Sequence, residues 1–114
     1  MSPTEATVRT IAMALPGTTE KPCYGTQAWY VKGKLFARML DDDASVVVKV
    51  DMDERAALLQ ADPKVYALTP HYEAWPMVIV RLGKVRAADL EERLVEAWRY
   101  CAPAKLLKEF DDAQ

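Results

Sequence analysis

A chain of 114 residues, 51% hydrophobic and 28% charged, is long enough for one core and too short for two, and that balance excludes wholesale disorder. The formal net charge of -2 excludes a strongly basic chain, so nucleic-acid binding would need a local basic patch acting against an unfavourable overall field. No window offers the roughly 18 apolar residues that cross a membrane. The N-terminus has no basic segment followed by an apolar run, so the expectation is a cytoplasmic protein of one domain, residues 1–114, without membrane association.

Along the chain, Ser2-Pro3-Thr4-Glu5 has the form of a capping box with proline at the first helical position. Val8, Ile11, Ala12 and Leu15 then place one apolar stripe on a helix that Pro16-Gly17 stops. Thr18 to Gly25 reads as a polar loop. Gln27 to Val31 and Lys34 to Leu40 read as strands joined at Lys32-Gly33, a hairpin turn. Asp41 to Ser45 turns the chain again, into the β-branched run Val46 to Val50. Asp51, with Glu54 three positions on, caps a short helix through Leu59, anchored by Leu58 and Leu59.

Asp62-Pro63 ends that helix, and a short strand follows around Val65 to Leu68. Thr69 to Ala74 reads as a loop and Trp75 to Leu82 as a fifth strand, with Pro76 arguing for an edge position or a start just after it. From Ala88 a helix turns Leu90, Leu94, Ala97, Trp98 and Cys101 inward, and Pro103 separates it from a last piece, Ala104 to Phe110.

This order predicts an α+β two-layer sandwich, an antiparallel sheet of about five strands with helices on one face. Strand alternation buries Val46, Val48 and Val50, and likewise Val78, Val80 and Leu82. Val47, Lys49, Met77, Ile79 and Arg81 then fall on an outer face of mixed apolar and basic character, which invites a partner.

Four blocks carry a family resemblance. They are Leu15-Pro16-Gly17 with Glu20-Lys21-Pro22 and Gly25, and Lys32-Gly33-Lys34-Leu35-Phe36-Ala37. Then come Ala61-Asp62-Pro63 with Thr69-Pro70-His71-Tyr72 and Trp75, and Trp98-Arg99-Tyr100 with Pro103 and Lys105. In that order and spacing the chain resembles the bacterial MmcQ/YjbR-like family, over nearly its whole length. The resemblance implies a CyaY-like topology, and DNA binding through a "double wing" of β-hairpins. It supplies no catalytic residues.

The residues suited to such wings are Lys32, Lys34 and Arg38 on the first hairpin, and Arg81, Lys84 and Arg86 on and after the fifth strand. If both groups share a face, they meet phosphates with counterion release, and Trp29 or Tyr30 stacks on a base. Lysines at hairpin tips also keep strand edges from aggregating, and Asp41, Asp42 and Asp43 repel phosphate.

A second candidate is the loop holding the single histidine, where His71, Tyr72 and Trp75 suit a small-molecule pocket or a protein partner. The same three residues also suit a purely structural loop. Cys23 with His71 would form a nucleophile and base, but no local hydrolase signature surrounds either. Cys23 and Cys101 are expected as reduced thiols. Together with His71 they lack metal-site spacing, the Asp41–Asp43 run reads as a solvated turn, and the four scattered glycines form no phosphate loop. The sequence thus points to a non-enzymatic binding domain without metal or cofactor. Weak DNA binding is the first expectation, and a protein-interaction or small-ligand module the alternative.

Overall fold

Helix α1, Glu5–Met13, begins where Thr4 N–H donates to the Thr7 hydroxyl at 3.0 Å. The reciprocal cap therefore sits two residues later than the Ser2–Glu5 pattern suggested. A computed structural model describes residues 2–113. Val8 and Ala12 bury the apolar stripe of α1, and Leu15 follows it into the core. At Gly17 the backbone turns left-handed, with φ +70°, and a Cβ there would lie 2.9 Å from Leu106 Cδ1. Glycine takes that backbone without strain, whereas a side chain there would be strained and would have to displace the end of Leu106.

The segment expected as a polar loop is strand β1, Thr18–Cys23, so the sheet has six strands rather than about five. Its register with β2, Thr26–Val31, runs from Thr18 opposite Val31 to Cys23 opposite Thr26. The two-residue turn between them, Tyr24-Gly25, holds both residues at positive φ, 53° and 85°, as a tight hairpin requires. The strand escapes the usual apolar alternation because it is an edge strand. Its inward Glu20 faces Arg9 of α1 and the Trp29 indole rather than hydrocarbon.

Strand β3, Lys34–Met39, returns after Lys32-Gly33, again both left-handed. Trp29 pairs with Ala37 but Tyr30 pairs with Leu35, which leaves Phe36 as an extra, bulged residue. Phe36 and Ala37 therefore both enter the core, and Leu35 turns to the outer face. In the next turn Asp42 Oδ1 accepts from the backbone of Ala44 and Ser45 at 2.9 and 3.1 Å. This turn feeds β4, Ser45–Lys49. Helix α2, Met52–Ala61, is capped as expected, with Asp51 Oδ1 accepting from Asp53 and Glu54 N–H. The short β5, Tyr66–Ala67, and a single 3-10 turn, Pro70–Tyr72, lead to β6, Met77–Arg81, which starts immediately after Pro76. Helices α3, Ala87–Cys101, and α4, Ala104–Asp112, close the chain.

The strand order is β1-β2-β3-β4-β6-β5, with every neighbouring pair antiparallel. The fold is α+β. On the inner face Trp29, Phe36, Met39, Val46, Val48, Val78 and Val80 meet Leu90, Leu94 and Trp98 of α3, all fully buried. The Trp98 indole N–H donates to the Pro16 carbonyl at 2.9 Å and its ring packs on Phe110, so α3 ties α4 to the end of α1.

The alternation of β4 and β6 is as the sequence implied, but of their outward residues only Arg81 is exposed and Lys49 is half-buried, while the three apolar ones are closed to solvent. Val47, Met77 and Ile79 are buried in a second cluster against Leu35, Leu40, Ala67 and Tyr72. Arg55 of α2 fastens the Tyr72–Met77 stretch in place. Its Nη1 donates to the carbonyls of Tyr72, Trp75 and Met77 at 3.2, 2.8 and 3.3 Å, and its Nη2 to that of Glu73 at 3.0 Å. Among the described residues, no helix is long and apolar enough to cross a membrane.

Candidate functional site

The outer face of the sheet carries a groove of about 640 Å³. Its floor is Leu35, Val47 and Met77, one side chain from each of β3, β4 and β6. Leu35 reaches the floor only because the bulge at Phe36 reverses its direction. Cys23 and Tyr24 form one rim, and His71, Tyr72 and Trp75 the other. Arg38 and Lys49 complete the lining.

The rims are aromatic and solvent-facing. Tyr24 is 90% exposed and Trp75 57% exposed. Tyr24 is held at φ 53°, a left-handed backbone that bulky side chains seldom adopt. That turn sets its ring 5.6 Å from the Arg38 guanidinium carbon, within cation–π range. On the opposite rim, the His71 and Tyr72 rings meet edge to face at 4.7 Å.

Arg38 spans the groove. Its Nε donates to the Cys23 carbonyl at 3.1 Å and its Nη1 to the Tyr72 hydroxyl at 3.3 Å, linking the two rims. Among the described residues neither Arg38 nor Lys49 has a carboxylate partner. Behind Tyr24, Lys21 Nζ lies 4.7 Å from the Tyr30 ring centroid. Burial first, then the neighbouring Cys23 thiol, push the Tyr30 hydroxyl above its ordinary pKa, against the pull of Arg38.

Of the residues singled out in the sequence, the groove gathers Arg38 with His71, Tyr72 and Trp75. The remaining cations lie elsewhere. Lys32 and Lys34 are exposed at the β2–β3 tip, where Val31 pairs with Lys34. Arg81 is opposite Ser45, at the far end of the sheet, where Met39 and Val46 pair. Its Nη1 donates to the carbonyls of Pro63 and Lys64 at 2.9 and 3.1 Å. Lys84 and Arg86 follow it, exposed. The register thus parts the two basic groups to opposite ends of the strands.

Trp29 offers no stacking face, being fully buried with its indole N–H donated to Glu20. Tyr30 is half-buried on the outer side. Cys23 and His71 line the same groove, but no hydrogen bond joins them among the described residues. Both cysteines are free thiols. Cys101 is buried with its thiol donated to the Leu35 carbonyl, and desolvation raises its pKa. No three metal-ligating side chains cluster among the described residues.

Sequence reasoning missed Tyr24 and Leu35. It had put Lys49 on the outer face without assigning it to a site. The signals available were the Tyr24-Gly25 dipeptide, which marks a tight turn, and the position of Lys49 two residues from Val47 on one strand face.

An open antiparallel sheet with helices over one face and an aromatic-rimmed groove on the other defines an open-faced α+β domain. The family described as YjbR matches residues 13–100, and the chain belongs to that family. Similar proteins include uncharacterised ones from Mycobacterium bovis and Mycobacterium tuberculosis, 42% identical over 60 residues, which cover 53% of this chain and 46% of theirs. The chain therefore spans about half the length of the curated relatives it matches. A crystal structure of the Deinococcus radiodurans protein DR2400, a DUF419 domain, is similar at TM-score 0.73 and 27% identity, over 83% of this chain and 75% of that one.

Proposed function

We propose that the chain is a one-domain, non-enzymatic module that binds a small organic ligand in the outer-face groove. The observation that carries this reading is the pairing of an apolar floor with two exposed aromatic rims, Tyr24 and Trp75, on either side of it. Stacking a ligand against the rims removes aromatic area of Tyr24 and Trp75 that the free protein leaves wet, at about 25 cal/mol per Å². A metabolite screen by thermal shift tests it. A hit that raises the melting temperature of the parent and is lost in Trp75→Ala and His71→Ala is expected, both being exposed residues whose loss leaves the fold intact. A hit indifferent to both substitutions would place binding elsewhere.

DNA binding is the second reading, supported by the exposed Lys32-Gly33-Lys34 tip, which is free of the Asp41–Asp43 turn at the other end of β3. It predicts affinity that falls steeply with salt and is lost in Lys32→Glu/Lys34→Glu. Absence of binding to duplex and single-stranded DNA at low salt would remove it.

A further inference from the structure

We infer that the ligand of the groove is an anionic arene, a planar ring system bearing a carboxylate, held by Arg38 and Lys49 and stacked between the rims. This rests on the small-ligand reading above and gives that ligand its chemistry. Charge is the first ground. In a chain of net charge -2, the groove concentrates two cations that no carboxylate neutralises among the described residues. Both are half-buried against an apolar floor, where an oxyanion contact is stronger than at an open surface.

Geometry is the second ground. The Arg38 guanidinium is fixed by Nε on the Cys23 carbonyl and Nη1 on the Tyr72 hydroxyl. Its Nη2 makes no hydrogen bond to the described residues, so a positioned donor remains for an incoming oxygen. Lys49 lies one strand over, on β4, and lines the same groove, its side chain making no hydrogen bond to the described residues.

The third ground is the rim. Tyr24 is almost wholly exposed in a left-handed backbone, at the position where the commonest hairpin turns carry asparagine, aspartate or glycine. A strained, solvent-facing aromatic stacked on a cation is a ready surface for a second ring, with Trp75 across the floor. Aromatic side chains on both rims suit a planar arene better than an alkyl chain.

Three probes separate the claims: naphthalene-2-carboxylate, its uncharged amide, and decanoate. Each is titrated into the ¹⁵N-labelled protein while the three indole N–H signals are followed. Trp29 and Trp98 indoles are buried and bonded to Glu20 and Pro16, whereas Trp75 lies on the rim. The expected result is movement of the Trp75 signal, and carboxylate binding about tenfold tighter than the amide, the scale of one charge-assisted contact. Decanoate should bind more weakly than the naphthoate. In Lys49→Gln and in Arg38→Gln the carboxylate preference should collapse towards one. Equal binding of acid and amide overturns the anionic assignment and leaves the groove reading standing. Decanoate binding as tightly as the naphthoate overturns the arene. A Trp75 signal unmoved by all three overturns both the inference and the groove.

Discussion

Glu20 stands where an inner-face strand position ordinarily carries an apolar side chain. It accepts from Arg9 Nε and from the Trp29 indole N–H, both at 2.8 Å, while Arg9 also reaches Glu5 at 3.1 Å. The Arg9 hydrogen bond is the main cause that holds the Glu20 carboxyl below its ordinary pKa; burial opposes it next, and the Trp29 bond and the Arg9 charge then add to the lowering. A depressed folded-state pKa stabilises above the unfolded value and loses that contribution as pH falls through the folded one. Glu20→Ala orphans the indole N–H and is expected to cost about 1–3 kcal/mol at neutral pH. Glu20→Gln keeps an acceptor and should cost less. Urea unfolding of parent and Glu20→Gln should show a gap that closes as pH falls through the depressed pKa of the folded Glu20 carboxyl, below which the parent side chain is itself neutral. A gap independent of pH would assign Glu20 a packing role only.

At the scale of elements, the Tyr72–Met77 stretch owes its shape to one side chain of α2. Arg55 donates to four backbone carbonyls there; those of Tyr72 and Trp75 also accept turn bonds, from the N–H groups of Trp75 and Met77. Arg55→Ala is expected to lower stability by about 2–4 kcal/mol, given several charge-assisted bonds lost together. It should also raise amide exchange selectively at His71 to Met77. Uniform exchange across the sheet would mean that the stretch holds itself.

None of this was legible in Arg55, which reads as an ordinary charged residue on a helix of ten residues, none of them fully buried. The elements themselves were more legible. Hydrophobic period placed α1, α3 and the β4 and β6 alternation, and Asp51 marked the start of α2. The exception was β1. Its Thr-Thr-Glu-Lys-Pro-Cys wording has no apolar alternation, because an edge strand whose inner side meets Arg9 needs none. The lining of the candidate groove was half visible, in Arg38, His71, Tyr72 and Trp75. What joins them, the bulge that turns Leu35 outward and the turn that raises Tyr24, depends on strand register and not on local composition.

For the whole molecule, β1 to β4 form a meander in which each strand pairs with the one just made, whereas β6 is threaded between β4 and β5 after the chain has built α2. The groove floor uses Leu35 and Val47 from the meander and Met77 from β6, so it is incomplete until that late, non-local pairing closes. Local hairpins close before long-range partners dock. A groove ligand such as naphthalene-2-carboxylate should therefore slow unfolding and leave the refolding rate unchanged, which stopped-flow chevrons with and without it would register. Faster refolding would mean that β6 is already seated at the folding barrier. If β6 docks last, a ligand in the groove would act as a brake on the chain's exit from the native state, lengthening the lifetime of the fold without hastening its birth.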